Sequence, residues 1–124
     1  MEDLARWLTA QLDEDERIAR AVEDRSAPWG GQWMADGDSA VRTVNGHVLF
    51  YRHDSGPLKP GLADYVAEWD PARVLREVDA KRRILAEAAE YEPGIPGFPE
   101  MWTVLRLLAL PYVDRPGYLE AWRP

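Results

Sequence analysis

The dipeptide Asn45-Gly46 places the sharpest constraint on the fold, because it separates two β-prone runs at residues 41–44 and 47–51. Asn-Gly is the preferred pair for a two-residue hairpin turn, in which both turn residues take positive φ. The sequence therefore predicts a small antiparallel hairpin in the first half of the chain. Residues 32–35 would add a third strand.

Counting outward from this turn predicts the register of the hairpin. Thr43 pairs with Val48 and Val41 pairs with Phe50, and these four side chains form the more apolar face. We expect them to face the core, because strand side chains alternate between the two sides of a sheet. The opposite face then carries Arg42, Val44, His47, Leu49 and Tyr51.

Helical periodicity dominates the two ends of the chain. Residues 3–24 carry a stripe at three- and four-residue steps, which predicts a long N-terminal helix. Asp70-Pro71 supplies a helix N-cap and first helical residue, so a second long helix should run to about residue 91. The first stripe consists of Leu4, Leu8, Gln11, Asp15, Ile18 and Val22, and the second of Val74, Leu75, Val78, Arg82, Leu85 and Ala89.

Two further helices are predicted after the hairpin. A short one carries Leu62, Tyr65, Val66 and Trp69 on one side. Residues 101–110 are apolar almost all round, which predicts a central helix with Leu105 and Leu108 nearly inaccessible.

The predicted fold class is α+β and mostly helical. A long N-terminal helix precedes a small antiparallel β-hairpin or three-stranded sheet, and a helical half follows. With 124 residues, we expect a single domain spanning 1–124.

Charge and cysteine content narrow the function classes. The formal charge of −7 disfavours general binding to nucleic acid or anionic lipid. The absence of Cys excludes disulfides, thiolate metal sites and a Cys nucleophile. Without a basic, apolar leader or a run of about 20 apolar residues, the chain is expected to be cytoplasmic, with no membrane partner.

The sequence predicts no catalytic residue, cofactor or metal ligand. His47 and His53 are the only histidines, and their spacing suits no metal site with other ligands. Asp36-Gly37-Asp38 faintly resembles a calcium loop, but the twelfth position is His47 rather than Glu. A structural or solvated role is the expected one for these residues.

Two charges fall within otherwise apolar helical stripes. Asp15 interrupts the first stripe and Arg82 the second. An unpaired buried charge is too costly to keep, so we hypothesise a structural ion pair between them. The alternatives are that Asp15 pairs with Arg76, Arg83 or Arg106, or that each side chain reaches water at the edge of its stripe.

An aromatic surface is the candidate interaction site. Trp29 and Trp33 lie among glycines at the start of the β region, where rigid amphipathic anchors would serve a partner. Core packing is the alternative for both. The candidate surface comprises Trp29, Trp33, Arg42, Leu49 and Tyr51.

Two stretches resemble a family of small proteins of unknown function from actinobacteria and their phages. They are Asp70-Pro71-Ala72-Arg73-Val74-Leu75-Arg76-Glu77 and Leu105-Arg106-Leu107-Leu108-Ala109-Leu110-Pro111-Tyr112. The resemblance implies no known activity. Where its pattern has two His and a Cys-x-x-Cys pair, which would suit a structural zinc, this chain has Tyr65, Trp69 and a linker without Cys. This member would then have replaced such a site with aromatic packing.

The favoured hypothesis is a non-catalytic protein–protein interaction or regulatory module of a bacterium or phage. A homodimer is one form that the module is able to take. The alternative is a small-ligand or nucleic-acid-binding protein that uses the surface of Trp29, Trp33 and Tyr51. A carboxylate-based enzyme ranks last, because no Asp or Glu pair stands out among the 22 acidic residues.

Overall fold

Helices and a three-stranded sheet follow one another in the predicted order. The computed structural model describes residues 1–22, 30–54 and 56–124. The elements are α1 (Glu2–Val22), β1 (Trp33–Asp36), β2 (Ala40–Thr43), β3 (Val48–Tyr51), α2 (Leu62–Glu68), α3 (Pro71–Ala88) and α4 (Phe98–Ala109), followed by short 3-10 turns at Leu110–Tyr112 and Glu120–Trp122. This order confirms the mostly helical α+β fold class.

The buried stripe of α1 differs from the predicted one. Leu4, Leu8 and Leu12 are fully buried at four-residue steps. Ile18 and Val22 are exposed instead. Leu12 rather than Gln11 continues the line of Leu4 and Leu8, because residues four apart share a helix face.

The chain divides into two compact units, of which the first comprises residues 1–14 and 78–124. The prediction of a single domain stays a prediction.

An aromatic cluster stabilises unit 1. The centroid of the Trp7 ring lies 5.4 Å from that of the Trp122 ring and 5.7 Å from that of the Tyr118 ring. Edge-on aromatic pairs at such distances add to the stability that burial provides. The Trp7 indole N–H also donates to the Pro116 carbonyl oxygen at 3.0 Å.

Helix α4 is buried on one face only. Leu105 and Ala109 are fully inaccessible, as expected for Leu105. Leu108 is only half-buried, and Leu107 is 52% exposed. The prediction of burial all round is therefore wrong, because an apolar sequence alone does not specify how many faces are covered.

Unit 2 comprises residues 15–77 and contains the antiparallel sheet, in the order β1-β2-β3. Its core is formed by Val41, Leu58 and Ala63. The half-buried residues packed against them are Trp33, Ala35, Leu49, Phe50, Val66 and Ala67. Helix α2 therefore packs against the sheet through Ala63, Val66 and Ala67.

The predicted packing face of α2 is largely wrong. Val66 packs against the core, but Leu62, Tyr65 and Trp69 are exposed by 38%, 66% and 47%. Ala63, which is 2% exposed, occupies the core position on α2, so the bulky aromatic side chains lie on other sides of the helix. At the positions where aromatic packing was expected, the ring centroids of Tyr65 and Trp69 lie 6.4 Å apart, and the Arg73 guanidinium lies over the Trp69 ring, 4.1 Å from its centroid.

The hairpin loop is one residue longer than predicted. The Thr43 N–H donates to the His47 carbonyl oxygen at 2.8 Å, and the Gly46 N–H donates to the Thr43 carbonyl oxygen at 2.9 Å. Gly46, the last residue of this three-residue loop, has a φ of 96°, and such loops require a positive φ at that position. The predicted pairing of Thr43 with Val48 is wrong, since Val48 pairs with Arg42.

The hydroxyl of Thr43 explains the longer loop. This side chain is fully buried. Its Oγ1 accepts a hydrogen bond from the His47 N–H at 3.0 Å and donates one to the Asn45 side-chain oxygen. A threonine hydroxyl that satisfies nearby groups of the loop competes with the tighter turn.

A bulge in β3 restores part of the predicted register. Val41 pairs with Phe50, as expected, whereas Arg42 pairs with Val48, so Leu49 has no register partner. Leu49 packs against the core instead of lying on the outer face. Val48 is 39% exposed, so its expected core position is wrong.

Asp70 joins the start of α3 to the sheet of unit 2. Its Oδ1 accepts the Arg73 N–H at 2.8 Å, which confirms the predicted N-cap. Its Oδ2 accepts the Trp33 N–H at 3.0 Å. The Ala72 N–H donates to the Gly31 carbonyl oxygen nearby, at 2.9 Å.

Candidate functional site

The face of the sheet opposite the core of unit 2 carries a row of exposed side chains. Met34 pairs with Arg42 and Arg42 pairs with Val48, so the three lie side by side across all three strands. Met34 is 50% exposed and Val48 39%. An apolar side chain therefore flanks a central guanidinium on each side.

Tyr51 extends this row toward the end of β3. It lies opposite Ala40, two residues from Arg42 on the same face, and it is 64% exposed. A hollow of about 230 Å³ lies beside it, lined by Ser39, Ala40, Arg42, Val48, Tyr51, Arg52 and Gly56. We call Met34, Arg42, Val48 and Tyr51 the outer sheet surface.

Ion pairs hold both guanidinium groups of this region. Arg42 Nε lies 2.6 Å from Asp36 Oδ2, and Arg52 Nε lies 2.8 Å from Asp54 Oδ1. Arg52 also donates to the Pro57 carbonyl oxygen at 3.2 Å. These partners fix the orientation of the two side chains and neutralise their charge.

The structure brings together two of the five predicted surface residues. Arg42 and Tyr51 share the outer sheet surface, whereas Trp33 and Leu49 pack on the core side of the sheet. The Trp33 indole N–H donates to the Gly30 carbonyl oxygen at 3.0 Å. Trp29 lies outside the described residues.

Sequence reasoning missed Met34 and Val48 as surface residues. Met34 could have been found from the predicted third strand, because pairing that strand with β2 places Met34 beside Arg42. Val48 could not, because the bulge at Leu49 has no simple sequence signal.

Three basic side chains of α3, those of Arg73, Arg82 and Arg83, pair with acidic residues. In unit 1, Arg82 donates to Asp13 Oδ1 at 2.7 Å. The hypothesised pair of Asp15 with Arg82 stays a prediction. In unit 2, the Arg73 guanidinium lies 2.9 Å from Glu68 and 3.1 Å from Glu77.

No group of three or more His, Asp or Glu side chains suited to a metal ion occurs among residues 1–22, 30–54 and 56–124. His47 and His53 are both exposed. The expected lack of a metal stays a prediction, tested by elemental analysis below. Over the same described residues, no helix is long and apolar enough to cross a membrane.

Fold and surface together define a small α+β protein with a solvent-exposed, partly apolar sheet face. The model of the family of unknown function DUF6221 matches residues 1–124, and the chain belongs to this family. This match confirms that the sequence falls within a family of unknown function. No curated protein and no solved structure matches the chain.

Proposed function

We propose that this chain is a non-catalytic interaction module, a regulator in a bacterium or phage, and that it binds another protein through the outer sheet surface. The supporting observation is the row of Met34, Arg42 and Val48, extended by Tyr51, on one face of the sheet. Methionine, tyrosine and arginine are enriched in the cores of protein interfaces.

The dimensions of the surface favour a polypeptide over a small ligand. The hollow beside Tyr51 measures about 230 Å³, below the range of about 300–1,000 Å³ typical of small-molecule sites. Met34, Val48 and Tyr51 would lose exposed apolar area against an apolar segment of a partner, and such burial drives association. A second copy of the chain is one such partner.

Electrostatics disfavour nucleic acid at this surface. Arg42 and Arg52 already have carboxylate partners at 2.6 and 2.8 Å. The formal charge of the chain is −7, and nucleic-acid affinity depends chiefly on cations that neutralise phosphates. The partner is therefore expected to contact this surface through apolar groups, with Arg42 fixing their position.

Site-specific photo-crosslinking in the native host tests this proposal. A photoreactive phenylalanine analogue replaces Tyr51 in one variant and Leu119 in the control. Leu119 belongs to unit 1 and is 52% exposed. We expect a discrete adduct of defined mass from position 51 and none from position 119.

Two double variants test how much the exposed side chains of the outer sheet surface contribute to partner binding. Met34→Ser with Tyr51→Ser should abolish capture of the same partner, because tyrosine anchors often contribute at least about 2 kcal/mol. Leu107→Ser with Leu119→Ser removes similarly exposed apolar groups and should leave capture unchanged. Equal adducts at both positions, or unchanged capture by the folded Met34/Tyr51 variant, would contradict the proposal.

A further inference from the structure

Unit 1 contains a larger cleft, with a volume of about 500 Å³. The start of α1, the end of α3, the following loop and α4 all contribute to it. Leu85, Ala88, Phe98 and Leu105 form its apolar lining, and Glu2 and Glu92 contribute its carboxylates. We propose that this cleft binds a small amphipathic molecule with a hydrocarbon body and a protonated amine.

The size and depth of the cleft suit a small molecule. Its volume falls within the range of about 300–1,000 Å³ that is typical of ligand pockets. Leu105 is fully inaccessible to solvent and Ala88 is 2% exposed, so the cleft reaches the core of unit 1. Ala5, Ala88 and Ala89 keep it open, because their methyl groups fill little of the space between the surrounding elements.

The charged groups determine which end group the ligand carries. Among the described residues that line the cleft, the two carboxylates of Glu2 and Glu92 outnumber one cation, the α-ammonium of Met1, and no Lys, Arg or His side chain contributes. Glu2 pairs with Arg6 at 3.0 Å, whereas the Glu92 carboxylate has no ion pair among the described residues. A ligand ammonium would gain a partner in Glu92, whereas a ligand carboxylate would meet two carboxylates and one ammonium.

The loop between α3 and α4 holds one wall of the cleft in place. Tyr91 lines the cleft, and a Cβ atom added at Gly97 would lie 2.8 Å from Tyr91 Cε1. Gly97 has a φ of 90°, so glycine permits both the turn and the close approach of the ring. The wall is therefore formed by local contacts before any ligand arrives, which reduces the ordering cost of binding.

Calorimetric titration of the full chain with three ten-carbon probes tests the inference. Decylamine, decanol and decanoate share the hydrocarbon body and differ in the end group. We expect decylamine to bind with a Kd below about 100 µM, decanol about tenfold more weakly, and decanoate more weakly still. Equal affinities for decylamine and decanoate, or no binding of decylamine, would overturn the proposal.

Two variants locate the binding. Glu92→Gln should weaken decylamine by about fivefold or more while leaving decanol unchanged, because only the charged probe uses the carboxylate. Ala89→Phe should abolish binding of both, since the new ring fills the cleft. Ala86→Phe is the matched control, because this exposed residue lies on α3 outside the cleft.

Failure of this inference is distinguishable from failure of the proposed function. The cleft belongs to unit 1 and the outer sheet surface to unit 2. If the Ala89→Phe variant keeps its circular dichroism spectrum and still binds decylamine, the cleft is not the binding site. The crosslinking result at position 51 is a separate outcome.

Discussion

Substitution of Asp70 tests how one carboxylate organises unit 2. Its two oxygens accept different backbone donors: Oδ1 caps α3 through the Arg73 N–H, and Oδ2 binds the Trp33 N–H of β1. Asp70 is half-buried, as is Trp33. A change here therefore affects a helix start and an edge strand together.

The expected cost of Asp70→Ala combines two effects. Loss of an N-cap costs about 1 kcal/mol, and leaving a half-buried N–H without its acceptor costs about 1–2 kcal/mol. The free energy of unfolding should fall by about 2–3 kcal/mol. Asp70→Asn should cost about 1–2 kcal/mol, because the amide oxygen can still cap the helix whereas the amide nitrogen cannot accept the Trp33 N–H.

Urea denaturation at pH 7, followed by tryptophan fluorescence, measures both changes. Glu87→Ala is the control, because this exposed residue also lies on α3 and a surface substitution should change stability by less than about 0.5 kcal/mol. Equal losses of unfolding free energy for Asp70→Asn and Asp70→Ala would refute the separate roles of the two oxygens, in which Oδ1 caps α3 and Oδ2 accepts the Trp33 N–H. Losses no larger than that of the control would refute the whole argument.

Four further measurements test other contacts. Tyr118→Phe should raise the unfolding free energy by about 1 kcal/mol, because the hydroxyl is buried without a hydrogen-bond partner among the described residues; a loss of stability in calorimetry would contradict this. Leu105→Ala should lower the free energy of unfolding by about 2–5 kcal/mol and Leu107→Ala by less than about 1 kcal/mol, since of the two only Leu105 is buried; equal losses in urea denaturation would contradict the assignment of Leu105 to the buried face of α4. A double-mutant cycle on Asp13 and Arg82 should give a coupling below about 1 kcal/mol that weakens in salt, because the side chains are 63% and 38% exposed; a larger, salt-independent coupling would indicate a buried pair. Elemental analysis of tag-free protein should find no stoichiometric zinc, and one zinc per chain would refute the predicted lack of a metal site.

The features that local sequence signals determine were predicted well. Asp70-Pro71 forms the N-cap and first residue of α3, because the side chain and the pyrrolidine ring act within one helical turn. Asn45-Gly46 lies in a hairpin turn, and Gly46 supplies the positive φ that the turn needs. These signals work because the physical cause lies within a few residues of the effect.

The faces of the helices were predicted poorly. On α2 the bulky Tyr65 and Trp69 were expected to pack together with Val66, yet Ala63 is the buried residue. On α1 the stripe was extended through Ile18, which is exposed. Hydrophobic side chains indicate that some face packs, but close approach at small residues decides which face it is, and this depends on the neighbouring elements.

The candidate surface arises where the sequence-based register fails. Had the hairpin closed with a two-residue turn, Val48 would have paired with Thr43 and faced the core, and Leu49 would have paired with Arg42 on the outer face. The longer loop shifts Val48 opposite Arg42, and the bulge at Leu49 then returns Phe50 to Val41. The sheet thereby keeps its core partners at Val41 and Phe50 while Val48 moves to the exposed face. Bulges often redirect side chains next to functional sites, so the irregularity in β3 supports the proposal that the outer sheet surface of unit 2 binds a partner.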